Sequence, residues 1–285
     1  MGRIADTYDD KKSPMHVRDF KKYVTLANIM GNEELVKLSK AGELSKITLC
    51  RPPLNYLNLS LLQKLYEILD SFGEDPKCRA LLLEAEGNAF SAGLELSEQT
   101  RQDSFLLLEK FHRVAQALNS FPRPTIALVR GMALGAGNEL LACCDFVFAS
   151  KNAVFGQPEI KTGSMASLAP LILPPLIGSR RMMEMVLTGN LINAKEAEQM
   201  GLIHRLLSEN ELPAAVEELL KTFKSFSSPV LALTLNVARQ SRIREMETHL
   251  RESEAVFLNQ LMELEDPAEG VKAFLEKRQP KWKNR

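Results

Sequence analysis

The segment Gly131-Met-Ala-Leu-Gly-Ala-Gly-Asn-Glu-Leu-Leu-Ala-Cys-Cys-Asp145 places three glycines among its first seven residues and then a glutamate, Glu139. Small residues allow tight turns and let other groups approach the backbone closely. A second glutamate, Glu159, follows 20 residues further on, in Phe155-Gly-Gln-Pro-Glu-Ile160. Carboxylates are costly among apolar residues, but two of them can divide acid and base roles at neutral pH. We therefore predict that Glu139 and Glu159 carry chemistry.

The chain around these glutamates alternates strands with helices. The short apolar runs Arg79–Ala85, Thr125–Val129 and Asp145–Ala149 are typical of buried strands. Apolar residues recur at helical spacing after Ser60, which can cap a helix, and again from Ser104 to Ser120. A helix of small residues is predicted over 133–144. This order predicts an α/β fold with right-handed crossovers between parallel strands.

The two ends of the chain differ from the middle. Residues 1–30 read as a charged N-terminal arm, and 34–38 with 44–50 read as the two strands of a hairpin. From Glu184 onward the pattern is purely helical, with Asn193 as an N-cap. A long helix is predicted over 230–263, and a break near Arg242 is left open.

Composition excludes several classes of function. The 36 basic and 36 acidic residues balance, so no general attraction to nucleic acid or anionic membranes is expected. No run of about eighteen uncharged apolar residues is present, and the N-terminus lacks the apolar core of a signal peptide. We therefore expect a cytoplasmic protein that spans no membrane. Its four cysteines are expected to be reduced and buried. Because the four histidines are far apart in sequence, a histidine metal site or a Ser–His pair is disfavoured.

Three motifs in this order resemble the crotonase (enoyl-CoA hydratase/isomerase) superfamily. They are Gly87-Asn-Ala-Phe-Ser-Ala-Gly-Leu-Glu-Leu96, the segment 131–145, and Phe155-Gly-Gln-Pro-Glu-Ile-Lys-Thr-Gly163. The resemblance covers residues 32–285. It implies a crotonase-like spiral of ββα units over 31–205 that holds the active site, and a C-terminal helical oligomerisation region over 206–285.

The resemblance also implies roles for site residues. The backbone N–H groups of Leu94 and Ala136 would form an oxyanion hole for the thioester oxygen, the second of them at a helix N-terminus. Glu139 would be the base and Glu159 the acid of a hydration, with the roles reversed in dehydration. Coenzyme A would enter as part of the substrate, without a metal or redox cofactor. Its expected contacts are Ser91, Ala92, Gly93, Leu96, Gly135, Lys277 and Arg278.

Two of these contacts have an alternative interpretation, since Lys277 and Arg278 also fit a charged helix end that faces water. The family resemblance further implies a homotrimer or homohexamer. A basic stripe of the kind that binds RNA is absent from the sequence, so no nucleic-acid partner is expected.

The sequence after Glu159 bears on the identity of the acyl group. After the second glutamate the chain carries an apolar run, Thr162-Gly-Ser-Met-Ala-Ser-Leu-Ala-Pro-Leu-Ile-Leu-Pro-Pro175, where fatty enoyl-CoA hydratases have a glycine-rich one. In this it resembles the cyclohexa-1,5-diene-1-carbonyl-CoA hydratases of anaerobic aromatic degradation. A general 2-enoyl-CoA hydratase, an enoyl-CoA double-bond isomerase and a binding subunit without catalysis remain as alternatives.

Overall fold

The computed structural model describes residues 34–73, 75 and 77–285, and the arm predicted at 1–30 lies outside them. Within the described residues, ten strands form two sheets. The strands are β1 Val36–Ala41, β2 Leu44–Leu49, β3 Ala80–Ala85, β4 Ala89–Ser91, β5 Thr125–Val129, β6 Met132–Leu134, β7 Phe146–Ser150, β8 Val154–Gly156, β9 Leu191–Asn193 and β10 Arg205–Leu207.

Helices connect and cover the sheets. They are α1 Leu59–Gly73, α2 Ser104–Asn119, α3 Ala136–Ala142, α4 Ala169–Ile172, α5 Pro174–Ile177, α6 Ser179–Thr188, α7 Ala194–Met200, α8 Leu212–Lys224, α9 Ser228–Asn259 and α10 Asp266–Leu275. Short 3₁₀ turns lie at Leu96–Glu98, Glu159–Thr162 and Leu261–Glu263. In the described part of the chain, no helix combines the length and apolar character needed to cross a bilayer.

The larger sheet has the order β1-β2-β3-β5-β7-β10, and the smaller one β4-β6-β8-β9. The β1–β2 hairpin is antiparallel, as predicted, and the rest of the larger sheet is parallel. Each of β3, β5 and β7 is followed directly by a strand of the smaller sheet and then by helix. The chain therefore winds as repeated ββα turns, which is the predicted spiral.

The main core lies between the sheets and the helices that follow each turn. Helices pack into this core through apolar residues at helical spacing, as α1 shows. In α1 the residues that face the core are Leu61, Leu62, Leu65, Ile68 and Leu69. The cap of α1 is Asn58, whose Oδ1 accepts from the Leu61 N–H at 2.9 Å. The predicted cap, Ser60, was wrong because the helix already begins at Leu59. The four cysteines are buried and unpaired, as expected.

Several boundaries differ from the sequence prediction. The helix predicted over 133–144 is divided into β6 and α3, because Gly135 adopts φ 53° and ψ −128°, which no helix accommodates. The expectation of pure helix after Glu184 was wrong, since β9 pairs with β8 and β10 pairs with β7. Helix α9 is continuous through Arg242 because neither proline nor glycine interrupts residues 230–259.

Two further predictions concern the C-terminal third of the chain. Asn193 caps α7 as predicted and forms a capping box with Glu196. The boundary predicted after residue 205 falls inside β10, which belongs to the larger sheet.

Candidate active site

One cavity of about 1410 Å³ lies where the turns after β4, β6 and β8 meet the segment that follows α10. Both predicted glutamates, Glu139 and Glu159, are on its wall. Eight of the other predicted site residues line it as well, namely Ala92, Gly93, Leu94, Leu96, Gly135, Ala136, Lys277 and Arg278. The spiral therefore gathers residues from three separate turns around one space.

The ends of β6 and β8 bring the two glutamates together. Glu139 lies in the first turn of α3, and Glu159 opens a 3₁₀ turn directly after Pro158. The Gly135 N–H donates to the Gly156 carbonyl at 2.9 Å, which ties the two strand ends to each other. A side-chain carbon built on Gly135 would lie 2.6 Å from Oε1 of Glu159. Glycine at 135 thus leaves room for this carboxyl group.

The two carboxyl groups have unequal surroundings. Glu139 is only 2% exposed, and its Oε1 accepts from the N–H groups of Leu168 at 2.9 Å and Ala169 at 2.6 Å. Burial raises the pKa of Glu139, and these two donors oppose the rise because they stabilise the ionised form. Burial also raises the pKa of Glu159, and the nearby charge of Glu139 raises it further. These surroundings favour the ionised form more at Glu139 than at Glu159.

The turns that carry the two predicted oxyanion donors pack against each other. A side-chain carbon on Gly93 would lie 3.6 Å from the Ala136 nitrogen. Leu57 bonds to the chain on both sides of Leu94, through the Gly93 carbonyl at 2.9 Å and the Glu95 N–H at 3.0 Å. Within the described ranges, neither the Leu94 N–H nor the Ala136 N–H donates to an acceptor. Two adjacent N–H groups are thus available on the cavity wall for an anionic oxygen.

Two predicted coenzyme A contacts, Ser91 and Arg278, differ from the others in their surroundings. Ser91 is fully buried and away from the cavity wall, and its hydroxyl accepts from the Gly93 N–H at 3.1 Å. Ser91 therefore holds the turn that carries Leu94. Arg278 lines the cavity but already donates to both carboxylate oxygens of Glu269 and to Glu276. These partners raise the pKa of Arg278, so its charge is largely satisfied within the chain.

Tyr56 was missed by the sequence analysis, although it lines the cavity. The side chain is 7% exposed, and its hydroxyl is buried without a hydrogen-bond partner among the described residues. Burial raises the pKa of this hydroxyl, which therefore stays protonated. Its position in Asn55-Tyr-Leu57, between the hairpin and α1, was the available signal. A bound molecule or water would satisfy this group.

Two histidines contact one serine, although the sequence disfavoured a Ser–His catalytic pair. His112 and His249 both contact Ser167, the first at its hydroxyl and the second at its carbonyl oxygen. Ser167 lines the cavity. Contacts between residues this far apart in sequence leave no local pattern. For metals, no group of three or more His, Cys, Asp or Glu side chains is suitably placed in the described ranges.

Comparison with known proteins points to one family. The family model described as "Enoyl-CoA hydratase/isomerase" matches residues 39–285. The chain is 32% identical over 250 residues to a cyclohexa-1,5-dienecarbonyl-CoA hydratase of Thauera aromatica, covering 88% of this chain and 96% of that one. It is 33% identical over 243 residues to a probable enoyl-CoA hydratase of Bacillus subtilis, covering 83% and 94% respectively.

Solved structures share the fold. An enoyl-CoA hydratase from Bacillus halodurans superposes with a TM-score of 0.80 at 23% identity, covering 84% of this chain and all of that one. An enoyl-CoA hydratase/isomerase from Pseudoalteromonas atlantica gives a TM-score of 0.77 at 27% identity, covering 87% and 100%. The crotonase fold expected from the motifs is thus confirmed. With the match to the family model over 39–285, the chain belongs to the enoyl-CoA hydratase/isomerase family.

Proposed function

We propose that this protein is a hydro-lyase that adds water to the carbon–carbon double bond of an unsaturated acyl-CoA thioester. The observation that carries the proposal is the presence of two glutamates in unequal surroundings, Glu139 and Glu159, on one cavity wall. Beside them the N–H groups of Leu94 and Ala136 have no acceptor in the described part of the chain. Acid, base and oxyanion donors are the parts that hydration of a conjugated thioester requires.

In the proposed reaction a water molecule lies between the two carboxyl groups. Ionised Glu139 accepts a proton from this water while the water oxygen bonds to the alkene carbon. The electron pair moves toward the thioester oxygen, where the N–H groups of Leu94 and Ala136 stabilise the developing negative charge. Protonated Glu159 then gives its proton to the carbon next to the thioester. Proton exchange with solvent restores both groups, and the reverse sequence dehydrates.

Cyclohexa-1,5-diene-1-carbonyl-CoA is the proposed acyl substrate. The support is the similarity to the Thauera aromatica hydratase and the apolar segment 162–175, from which Met165 and Ser167 reach the cavity wall. A general 2-enoyl-CoA hydratase has comparable support, because the probable Bacillus subtilis hydratase is 33% identical. With either substrate the charge develops on the same thioester oxygen.

A panel of thioesters in isotopically labelled water tests the proposal. We expect the purified protein to convert cyclohexa-1,5-diene-1-carbonyl-CoA or crotonyl-CoA to a hydroxyacyl-CoA with label in its hydroxyl group. Conversion of a 3-enoyl-CoA to its 2-enoyl isomer without label would identify an isomerase instead. Binding of acyl-CoA without turnover of any panel member would identify a subunit without catalysis.

A homotrimer, alone or paired as a hexamer, is the proposed assembly. Four apolar side chains at helical spacing are each more than half exposed, namely Phe226, just before α9, and Val230, Leu233 and Val237 in its first turns. We refer to these four as the α9 face. An apolar face of this kind suits burial against a second copy of the chain.

A further inference from the structure

A buried polar chain reaches the cavity wall at Ser167. The Ser167 hydroxyl lies 2.9 Å from Nε2 of His112, and Nδ1 of the same ring lies 2.5 Å from Oε1 of Glu254. His112 is 2% exposed and Ser167 is 4% exposed. A carboxylate can only accept a hydrogen bond, so Nδ1 carries a proton, and in the neutral ring Nε2 accepts from the serine hydroxyl.

Ser167 is held at its hydroxyl group and at its carbonyl oxygen. While His112 from α2 bonds to its hydroxyl, Nε2 of His249 from α9 lies 3.1 Å from its carbonyl oxygen. The next two residues, Leu168 and Ala169, donate their N–H groups to Oε1 of Glu139. An unbroken path of hydrogen bonds and three consecutive residues therefore joins Glu254 on the long C-terminal helix to Glu139.

We propose that the chain Glu254–His112–Ser167 is a positioning relay that fixes the carboxylate of the catalytic base Glu139. The inference rests on the proposed function, in which Glu139 removes a proton from water. By fixing Ser167, the relay keeps the N–H groups of Leu168 and Ala169 aimed at Oε1. These two donors stabilise the ionised form of Glu139 and orient its free oxygen toward the cavity.

The arrangement resembles the Ser–His–acid set of hydrolases, but the N–H groups next to its serine cannot serve as oxyanion donors. The N–H groups that directly follow Ser167 are already used by Glu139. Simple packing also fails to explain the relay, since Leu108 and Phe257 on the same wall show that apolar side chains fit there. A buried polar network is costly unless every member is satisfied, and this one is satisfied along its whole length.

Single substitutions with matched controls test the relay. Ser167→Ala removes the hydroxyl, and Ser167→Thr retains one. Glu254→Gln weakens the other end of the relay. Because the Glu254 side chain is 28% exposed, this variant keeps its fold even if Ser167→Ala does not. Glu252→Gln makes the same change at an exposed position of the same helix, and Ser253→Ala removes a buried hydroxyl that bonds only within α9.

We expect Ser167→Ala to lower kcat by about 10- to 100-fold with little change in KM, because the substitution misaligns the base but leaves the binding surface unchanged. Glu254→Gln should lower kcat roughly 5-fold, Ser167→Thr should recover most of the activity, and the controls should match the wild type. In Ser167→Ala the acid limb of the pH profile should move to higher pH, since Glu139, which faces Glu159, loses the donors that favour ionisation.

Hydrogen–deuterium exchange at Leu168 and Ala169 gives a readout that does not depend on turnover. In the relay variants these two amides should exchange faster than in the wild type and in the controls. Unchanged kcat and exchange would overturn the relay, and so would a loss of kcat with unchanged exchange, which would indicate a direct chemical role for Ser167. If the wild type hydrates no thioester, the proposed function fails, and exchange still decides whether the relay holds this segment.

Discussion

Glu139 and Glu159 share one cavity but differ in what surrounds each carboxyl group. Two backbone N–H groups bond to Glu139, whereas Glu159 faces the charge of Glu139. Such a difference lets two chemically identical groups hold opposite protonation states at one pH. We therefore attribute the proposed division of roles to the environment that the fold creates.

The rate of hydration should depend on pH as a narrow bell. Burial raises the pKa of Glu139 to about 7, so activity should fall below that pH as the base becomes protonated. Burial and the charge of Glu139 raise the pKa of Glu159 to about 8, so activity should fall above it as the acid loses its proton. A profile of kcat/KM between pH 5 and 10 checks this, and a flat profile would contradict the division of roles.

Gly135 should tolerate no side chain. In Gly135→Ala the added carbon would meet Oε1 of Glu159 at 2.6 Å, on a backbone with φ 53°. We expect kcat to fall by about 10-fold or more because the acid is displaced. The matched control is Gly42→Ala, which also has a positive φ, 62°, but nothing within 4 Å of the new carbon. It should cost about 1 kcal/mol of stability. If Gly135→Ala and Gly42→Ala changed kcat equally, Gly135 would not be needed to make room for the Glu159 carboxyl group.

At the residue scale, the sequence predicted those groups that lie within recognisable motifs. Glu139, Glu159 and the glycine-rich turns were found because their neighbours in sequence are also their neighbours in space. Ser167 and His112 were missed because 55 positions separate them, and nothing local marks the contact. Ser91 is fully buried and off the cavity wall, and a motif does not reveal which of its residues faces inward.

At the scale of elements, the length of a helix or strand and the distance in sequence to its partner decided whether it could be predicted. Long helices such as α2 and five-residue buried strands such as β5 were predicted nearly to the residue. The three-residue strands of the smaller sheet were not predicted, because they are too short to show a period and depend on neighbours far along the chain. These short strands are nevertheless the ones that place the turns of the active site.

Helix α9 should depend on one buried ion pair for its docking. Arg239 is 4% exposed, and its Nε donates to Asp145 at 2.8 Å, while the Asp145 carboxylate also accepts from the Thr125 N–H. Arg239→Leu should cost about 3–5 kcal/mol in urea unfolding, because it leaves a carboxylate without its partner in a largely buried place. Arg251→Leu, at an exposed pair on the same helix, should leave stability within error of the wild type.

At the scale of the whole molecule, the spiral carries the site and the C-terminal helices leave an apolar surface uncovered. The α9 face should be buried between copies of the chain, so that Leu233→Glu should shift a trimer or hexamer toward monomers. Light scattering across a range of concentrations measures this. Leu38→Glu, at an exposed leucine of the edge strand β1, is the control. A monomeric wild type would contradict the proposed assembly.

The most direct test of the account is the turnover of Glu139→Gln and Glu159→Gln on the thioester that the wild type hydrates fastest, with binding of that thioester measured in parallel. Glutamine keeps the shape of each side chain but cannot exchange a proton. We predict that each variant loses roughly 100- to 10,000-fold in kcat while its affinity for the thioester stays near that of the wild type. Wild-type turnover by either variant would contradict the two-glutamate mechanism.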